Sequence, residues 1–414
     1  MNDLGHARIG SANKSPRWLS RGVLGIGLAS LFSDWGHEAA TSVLPGFLAS
    51  LGAPPVALGV IEGVSDGLSS FAKLAGGFLA DQPRLRKPLG IAGYFATAIT
   101  TFAYAFAHSW PGILILRALG WMGRGSRGPS RDALLAGCVS PGEEGRAFGF
   151  ERAMDTLGAV LGPLCAAALI GWIGARGVMK WTLLPGSIAA VVFALLAPKS
   201  RLEDAPHHTA ALSFAQRLRQ LPATYKYFLA GVFAHGIGDF APTLLILRAG
   251  QILTPQLGRE RGAAAAIGLY TFYNVVNAAA AYPAGALSDR LEKRSLLALG
   301  YLVGAFSFAG FIAARQPPLF ALAFLFALAG VHGAFQQSIE KSAAAEILPA
   351  QIRGAGFGVL AATNGVGDMV SSVVVGVLWS SVSATAGFLY AAIFSALGAA
   401  MIYFMRGQPK RGRS

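Results

Sequence analysis

The stretch LGIGLASLFSDWGHEAATSVLPGFLASLG, residues 24–52, is an apolar run with three ionisable groups in its middle: Asp34, His37 and Glu38. About 20 mainly apolar residues suffice to cross a bilayer as a helix. A charged side chain at bilayer depth costs about 2.5–3.5 kcal/mol on insertion scales. Three such groups within a turn and a half of helix therefore do not face lipid. They face water in a cavity, or opposite charge, and that placement marks a functional site in a membrane protein.

The rest of the chain agrees with a membrane reading. Of 414 residues, 54% are hydrophobic and 13% charged, where soluble domains carry about 25% charged residues. The 53 glycines suit close helix packing in lipid. Twelve spans are expected, at 21–50, 56–80, 88–108, 111–139, 145–172, 178–198, 225–249, 262–288, 295–314, 317–347, 354–381 and 383–405. The expected fold is thus an all-α membrane protein. The net charge of +14 does not indicate nucleic acid, because most Lys and Arg sit in short loops between apolar segments, which is a topology signal. Cys138 and Cys165 both lie in apolar segments and offer no disulfide framework. The first twenty residues are polar and basic, without a signal-peptide core.

With the N-terminus inside, 21 Lys and Arg fall on the inner side and five on the outer side, the five being Arg176, Lys180, Arg259, Arg261 and Arg315. Both termini are therefore expected in the cytoplasm. The expected organisation is a tail at 1–20, a six-helix bundle at 21–198, a linker at 199–224, a second bundle at 225–405 and a tail at 406–414. His207–His208 in the linker read as a solvated pair. A repeat supports the division. Gly77, Leu79 and Asp81 map to Gly285, Leu287 and Asp289, and Phe148-Gly149 to Phe357-Gly358, at an offset near 208. Further along, Asp155 maps to Asn364 and Gly158 to Gly367. Six helices separate equivalent points, so the halves share one orientation.

At these motifs the chain resembles the major facilitator superfamily of secondary transporters, over nearly its whole length. The family's loop pattern between spans 2 and 3, G-x-L-A-D-R-x-G-R-R, is met here by Gly77-Phe78-Leu79-Ala80-Asp81 and Arg86, with Gln82 and Arg84 departing from it. The second copy runs from Gly285 through Asp289-Arg290 to Arg294. Physically, a small Gly admits a neighbouring helix, and an Asp at a helix end can latch one conformation and release it in another. In span 5, Gly149, Gly158 and Gly162-Pro163 give G-x8-G-x3-G-P, similar to the motif of the superfamily's antiporters and exporters. Gly and Pro there let a helix kink and pack closely.

Span 4 carries Arg117, Arg124 and Arg131 every seven residues, with Arg127 a turn from the last two. They lie near one face. The resemblance places Arg117 where the family often has an Arg implicated in proton coupling. Arg124 is the better cavity residue by depth, and Arg127 and Arg131 are expected to pair Asp132 or Glu151. Further acids are Glu62 and Asp66 in span 2, with Lys73 seven residues on; Asp155 in span 5; Asp239, four after His235, in span 7; Glu340 beside Lys341 in span 10; and Asp368 in span 11. An acid beside an Arg stays ionised, whereas one alone in an apolar cavity tends to take a proton. Asp34 and Glu38 are the expected coupling acids and Arg124 and Arg117 their electrostatic counterparts. His37, Asp66 and Asp239 are expected to line the same path.

The expected function is secondary active transport by two rocking bundles, proton-coupled, exporting a small organic molecule from the bacterial inner membrane. Trp35, Trp121, Phe240, Tyr270 and Tyr273 offer an apolar wall. Divalent-metal export is the runner-up, from Asp34, His37, Glu38, His235 and Asp239, but no spacing is specific for a metal and no metal ligand is assigned. No P-loop occurs, so no ATP drive is expected, nor any cofactor. An enzyme is not expected: His37-Glu38 begins like a zincin motif, but Thr41 stands where the second His belongs. A non-transporting receptor on the same fold is the reading from another class. Protons and the bilayer are the other expected partners, and the chain is taken as a monomer.

Overall fold

Lipid cannot hydrogen-bond a peptide group, so each crossing segment must satisfy its own backbone. The computed structural model describes residues 19–80, 82–139, 144–198, 220–288, 290–314, 317–348 and 353–405. The linker from 199 to 219, Asp81, Asp289 and both tails lie outside the described residues. Helices are α1 (Arg21–Ser50), α2 (Pro55–Ala80), α3 (Pro83–Ala103), α4 (Trp110–Ala136), α5 (Glu144–Trp181), α6 (Leu183–Leu196), α7 (Ala223–Gly236), α8 (Thr243–Leu257), α9 (Arg259–Ser288), α10 (Lys293–Ala313), α11 (Leu319–Ile347), α12 (Arg353–Ser381) and α13 (Ala384–Tyr403). They form twelve spans in two six-helix bundles, with no strand among the described residues.

Three spans differ from the sequence expectation. The fifth and sixth meet inside α5 at Gly174, whose φ of 65° and ψ of 175° break the helix in a region that only Gly enters freely. The seventh is not one helix. It stops at Gly236 and resumes at Thr243, because Gly236, Gly238 and Pro242 cluster there and disfavour a helix interior. The break carries Asp239.

In the first bundle α1 packs on α5 and α6, and α4 on α2 and α3; in the second, α9 packs on α11, and α10 on α11 and α13. The seams between bundles are α2 with α12, α5 with α9, and α1 with α8. One apolar core joins both bundles where α1 and α8 end, uniting Val43, Leu44, Phe47 and Leu48 with Leu245, Ala249 and Ile252. At the opposite end each bundle has its own core, around Tyr94 and Phe193 in one and Tyr225 and Tyr301 in the other. The bundles therefore share one core at the joined end and keep separate cores at the other, the separated end, where α2 still meets α12 at Leu74 and Gly358. At the separated end, Lys87 Nζ donates to the Ala197 carbonyl and Arg294 to the Met405 carbonyl, each within one bundle.

Among the described residues, hydropathy and length alone identify spans in α3, α5–α6 and α10–α13. The long helices α1, α2, α4 and α9 are too polar to qualify. Three of those four make seam contacts, and α1, α2 and α4 carry Asp34, Glu62, Asp66, Arg117 and Arg124.

Candidate functional site

Asp34 and Glu38 sit one turn apart on α1, and α5 lies directly against that turn. The reason is glycine. A Cβ on Gly162 would sit 2.6 Å from the Trp35 carbonyl oxygen and 2.9 Å from Glu38 Cβ, and one on Gly158 would run into the Leu31 carbonyl. Backbone contact of this kind is what small residues permit in lipid. Pro163 follows within α5. Gly149 departs from the expectation of tight packing, with nothing within 4 Å of its Cβ position.

Asp34 is buried and holds Arg124 of α4, Nη1 to Oδ1 at 2.8 Å and Nη2 to Oδ2 at 2.9 Å. Of the two contacts, the one through Nη2 is a charge-assisted hydrogen bond and the one through Nη1 a close ion contact. Asp155 of α5 is an electrostatic neighbour of Asp34. Two carboxyl groups can share a hydrogen bond only when one carries a proton. Asp155 also holds Arg152 at 3.2 Å, and Arg152 reaches across to Gln337 of α11 at 3.2 Å. Glu38 looks the other way. Its Oε2 accepts from the Tyr270 hydroxyl of α9 at 2.8 Å, a bond between the bundles. His37 stands edge-on to Trp121 at 5.3 Å, and Trp121 lies beneath both Arg117 and Arg124.

Arg117 makes no ion pair with Asp34 or Glu38, though it is an electrostatic neighbour of Glu38. It is 1% exposed and pairs Glu62 of α2, with Nη2 at 2.7 Å and Nε at 3.0 Å from Oε2. Residue 117 lies two turns from 124, level with Glu62 rather than Asp34. Arg131 pairs both Asp132 at 3.1 Å and Glu151 at 2.5 Å. Arg127 pairs neither acid; it lies over the Tyr94 ring at 4.1 Å and donates to Thr97. Asp66 is half-buried, and Asp368 of α12 interacts electrostatically with it, with Asp239 and with Lys73. These groups and the exposed Lys73, Arg152, Gln337 and Lys341 give the facing helices a polar lining.

Other expectations are revised. Among the described residues, Gly77 and Gly285 have nothing within 4 Å of their Cβ positions, whereas Gly76 lies close to a neighbour, 2.6 Å from the Ser126 carbonyl. Arg86 is buried and its Nε donates to the Ala80 carbonyl at 2.7 Å; Arg290 is exposed. Phe240 is not part of a wall. It is buried against Phe308 and Phe388. Tyr270 and Tyr273 stack at 5.7 Å. A cavity of about 1160 Å³ lies toward the joined end, lined by Ser42, Phe47, Arg176, Gln251 and Glu260 among others, and begins about one turn beyond Glu38.

Three features escaped the sequence reading. Gly59, Gly63 and Gly67 of α2 lie against Ser372 and Met369 of α12, a seam whose signal was the G-x-x-x-G-x-x-x-G of residues 59–67. Asp155 was one acid among many until the fold set it beside Asp34. His332 of α11 approaches Asp239 at 3.4 Å; it stands 208 residues after Arg124, the offset of the repeat.

A sequence model described as Major Facilitator Superfamily matches residues 26–258 and 228–414. An uncharacterised MFS-type transporter of Methanocaldococcus jannaschii is 27% identical over 398 residues, covering 95% of this chain and 97% of that protein. A cercosporin MFS transporter of Cercospora nicotianae is 29% identical over 251 residues, 59% of this chain and 47% of that one. A peptide transporter solved with sulfate superposes with a TM-score of 0.75 at 15% identity, covering 93% of this chain and 94% of that one; at that identity the likeness concerns the fold.

Proposed function

The chain belongs to the major facilitator superfamily, and from that premise we propose that this secondary transporter is a proton-coupled exporter of a small organic molecule. The observation that carries this reading is the pairing of Asp34 with one cation, Arg124, with one further acid, Asp155, as its electrostatic neighbour. A proton held between the two carboxyl groups leaves a single negative charge against Arg124. Loss of that proton leaves two. Each state favours a different fit of α4 and α5 on α1, and α5 carries Arg152, which touches the other bundle. Glu38 adds a second lever: its bond to Tyr270 strengthens when Glu38 is ionised, because charge-assisted hydrogen bonds are the stronger ones.

The bundles rock about this centre in the manner of alternating access. The excess of Lys and Arg in alternate loops supports cytoplasmic termini and a bacterial inner-membrane location. With that orientation the separated end faces the cytoplasm and the present state is inward-facing. The loops at Gly77, Asp81 and Arg86 and at Gly285, Asp289 and Arg290 then latch the opposite state. A bundle from 21 to 198 and another from 225 to 405 are the moving bodies. The stacked Tyr270 and Tyr273 support an apolar cargo, as does the name of the cercosporin-transporting relative.

The test is flux in proteoliposomes under a pH gradient against a panel of antibiotics, siderophores and metal ions. Wild type should move an organic compound, and Asp34→Asn should abolish gradient-driven flux while the protein stays folded. Retained flux in that variant removes Asp34 from the mechanism. Absence of any flux favours a receptor on the same fold.

A further inference from the structure

We propose that His235, Asp239 and His332 form a binding site for a divalent first-row transition-metal ion, in the second bundle and separate from the Asp34 network. One nitrogen or oxygen from each residue lies within 4.8 Å of the others. His332 Nε2 is 3.4 Å from Asp239 Oδ1, and His235 Nε2 is 3.7 Å from Asp239 Oδ2. Both distances exceed the usual range of an N–H···O bond, about 2.7–3.2 Å. The first matches, and the second slightly exceeds, the separation of two ligands on one ion: bonds of about 2.0–2.2 Å in a tetrahedral arrangement put donors roughly 3.3–3.5 Å apart.

The proton positions favour a cation between these atoms. His332 Nδ1 lies 3.0 Å from the Gly300 carbonyl oxygen. A carbonyl only accepts, so Nδ1 carries the hydrogen, and in the neutral ring Nε2 presents a lone pair to the Asp239 carboxylate. Two acceptors then face each other, which is unfavourable unless a cation, a metal ion or a second ring proton, lies between them. A histidine whose far nitrogen is held by a backbone carbonyl is also the usual support of a metal ligand. His235 is fully buried, and neither of its ring nitrogens has a hydrogen-bond partner. A buried polar group in that condition costs about 1–3 kcal/mol, which an ion at Nε2 would relieve.

The surroundings fit a cation reached from the polar cleft. Asp239 is 18% exposed, and it interacts electrostatically with two further acids, Asp368 and Glu340. The break between α7 and α8 is itself braced: Ser371 Oγ donates to the Asp239 carbonyl at 2.6 Å, and the Ala241 amide donates to Ser372 Oγ at 3.1 Å. His235 lies flat on Tyr301 at 3.7 Å. Two imidazoles and one carboxylate suit first-row ions such as Zn²⁺ or Co²⁺ better than Mg²⁺ or Ca²⁺, which prefer oxygen.

The experiment uses full-length, untagged protein in detergent, stripped with chelator and titrated with Co²⁺ and Zn²⁺. Binding is read by calorimetry, Co²⁺ absorption and the rise in melting temperature. His235→Phe keeps the stack on Tyr301 and removes only the unpartnered nitrogens. His332→Asn keeps a donor for Gly300 and removes Nε2. His207–His208 is present in every variant, so differences between variants report this site. Wild type should bind about one equivalent. Both variants should run as wild type on size exclusion but bind more than about 100-fold more weakly, beyond the cost of losing even an outer-shell partner. Equal binding by wild type and the variants, or no binding by wild type, overturns the proposal; the latter leaves a proton as the bridging cation.

Discussion

Replacing Glu62 by Gln tests which of the two arginine pairs is structural. Glu62 and Arg117 are 2% and 1% exposed, and two of the guanidinium nitrogens converge on Glu62 Oε2 at 2.7 and 3.0 Å. The amide side chain has the same shape as the carboxylate without its charge. Arg117 cannot shed its proton, and its other polar neighbours include Thr41 Oγ1 at 3.4 Å and Tyr104. Stranding a buried charge in this way costs about 3–5 kcal/mol. Asp66 is an electrostatic neighbour of Arg117 and offsets part of this, so a loss of about 3 kcal/mol is expected, at the low end of that range. The double variant Glu62→Gln/Arg117→Met removes the stranded charge and should recover most of that loss, since apolar replacement of a buried pair is often neutral. Asp34→Asn should cost less, because Arg124 is 23% exposed and keeps Asp155 nearby. The assay is thermal unfolding of detergent-solubilised protein by Trp fluorescence. Glu62→Gln as stable as wild type, or a double variant less stable than the single, would refute the reasoning.

Gly162→Ala should lower stability by about 1–3 kcal/mol through overpacking against Trp35, whereas Gly149→Ala, with open space around it, should be neutral or stabilising by up to about 1 kcal/mol through helix propensity. Equal melting shifts for the two would sink the distinction. Tyr270→Phe deletes the Glu38 bond between the bundles. Up to about 1.5–3 kcal/mol attaches to a hydrogen bond with a charged group, so spin-label distances across the separated end should show a redistributed population; an unchanged distribution removes this bond from the conformational balance. Gly63→Leu on α2 should wedge the seam at Met369, lowering transport together with stability; normal flux would mean that this face is not packed during the cycle.

Twelve apolar runs, a duplicated G-x-L-x-D and the basic loops made the architecture legible from residue order, because lipid imposes length and internal hydrogen bonding on each span separately. Asp34 and Glu38 stood out for the same local reason: a charge in an apolar run is conspicuous wherever it points. Partners were another matter. That Arg124 takes Asp34 while Arg117 takes Glu62 depends on how deep each residue of α4 sits against α1 and α2, and spacing along one helix does not encode the depth of its neighbours. Asp155 gained meaning only when Gly158 and Gly162 let α5 touch α1. His332 lies 93 residues from Asp239, and the two met because α11 packs beside a break in span 7. Composition and periodicity act within a segment, and so they determined the spans; which charges neutralise one another is a contest among segments, and only the packed bundle decided it.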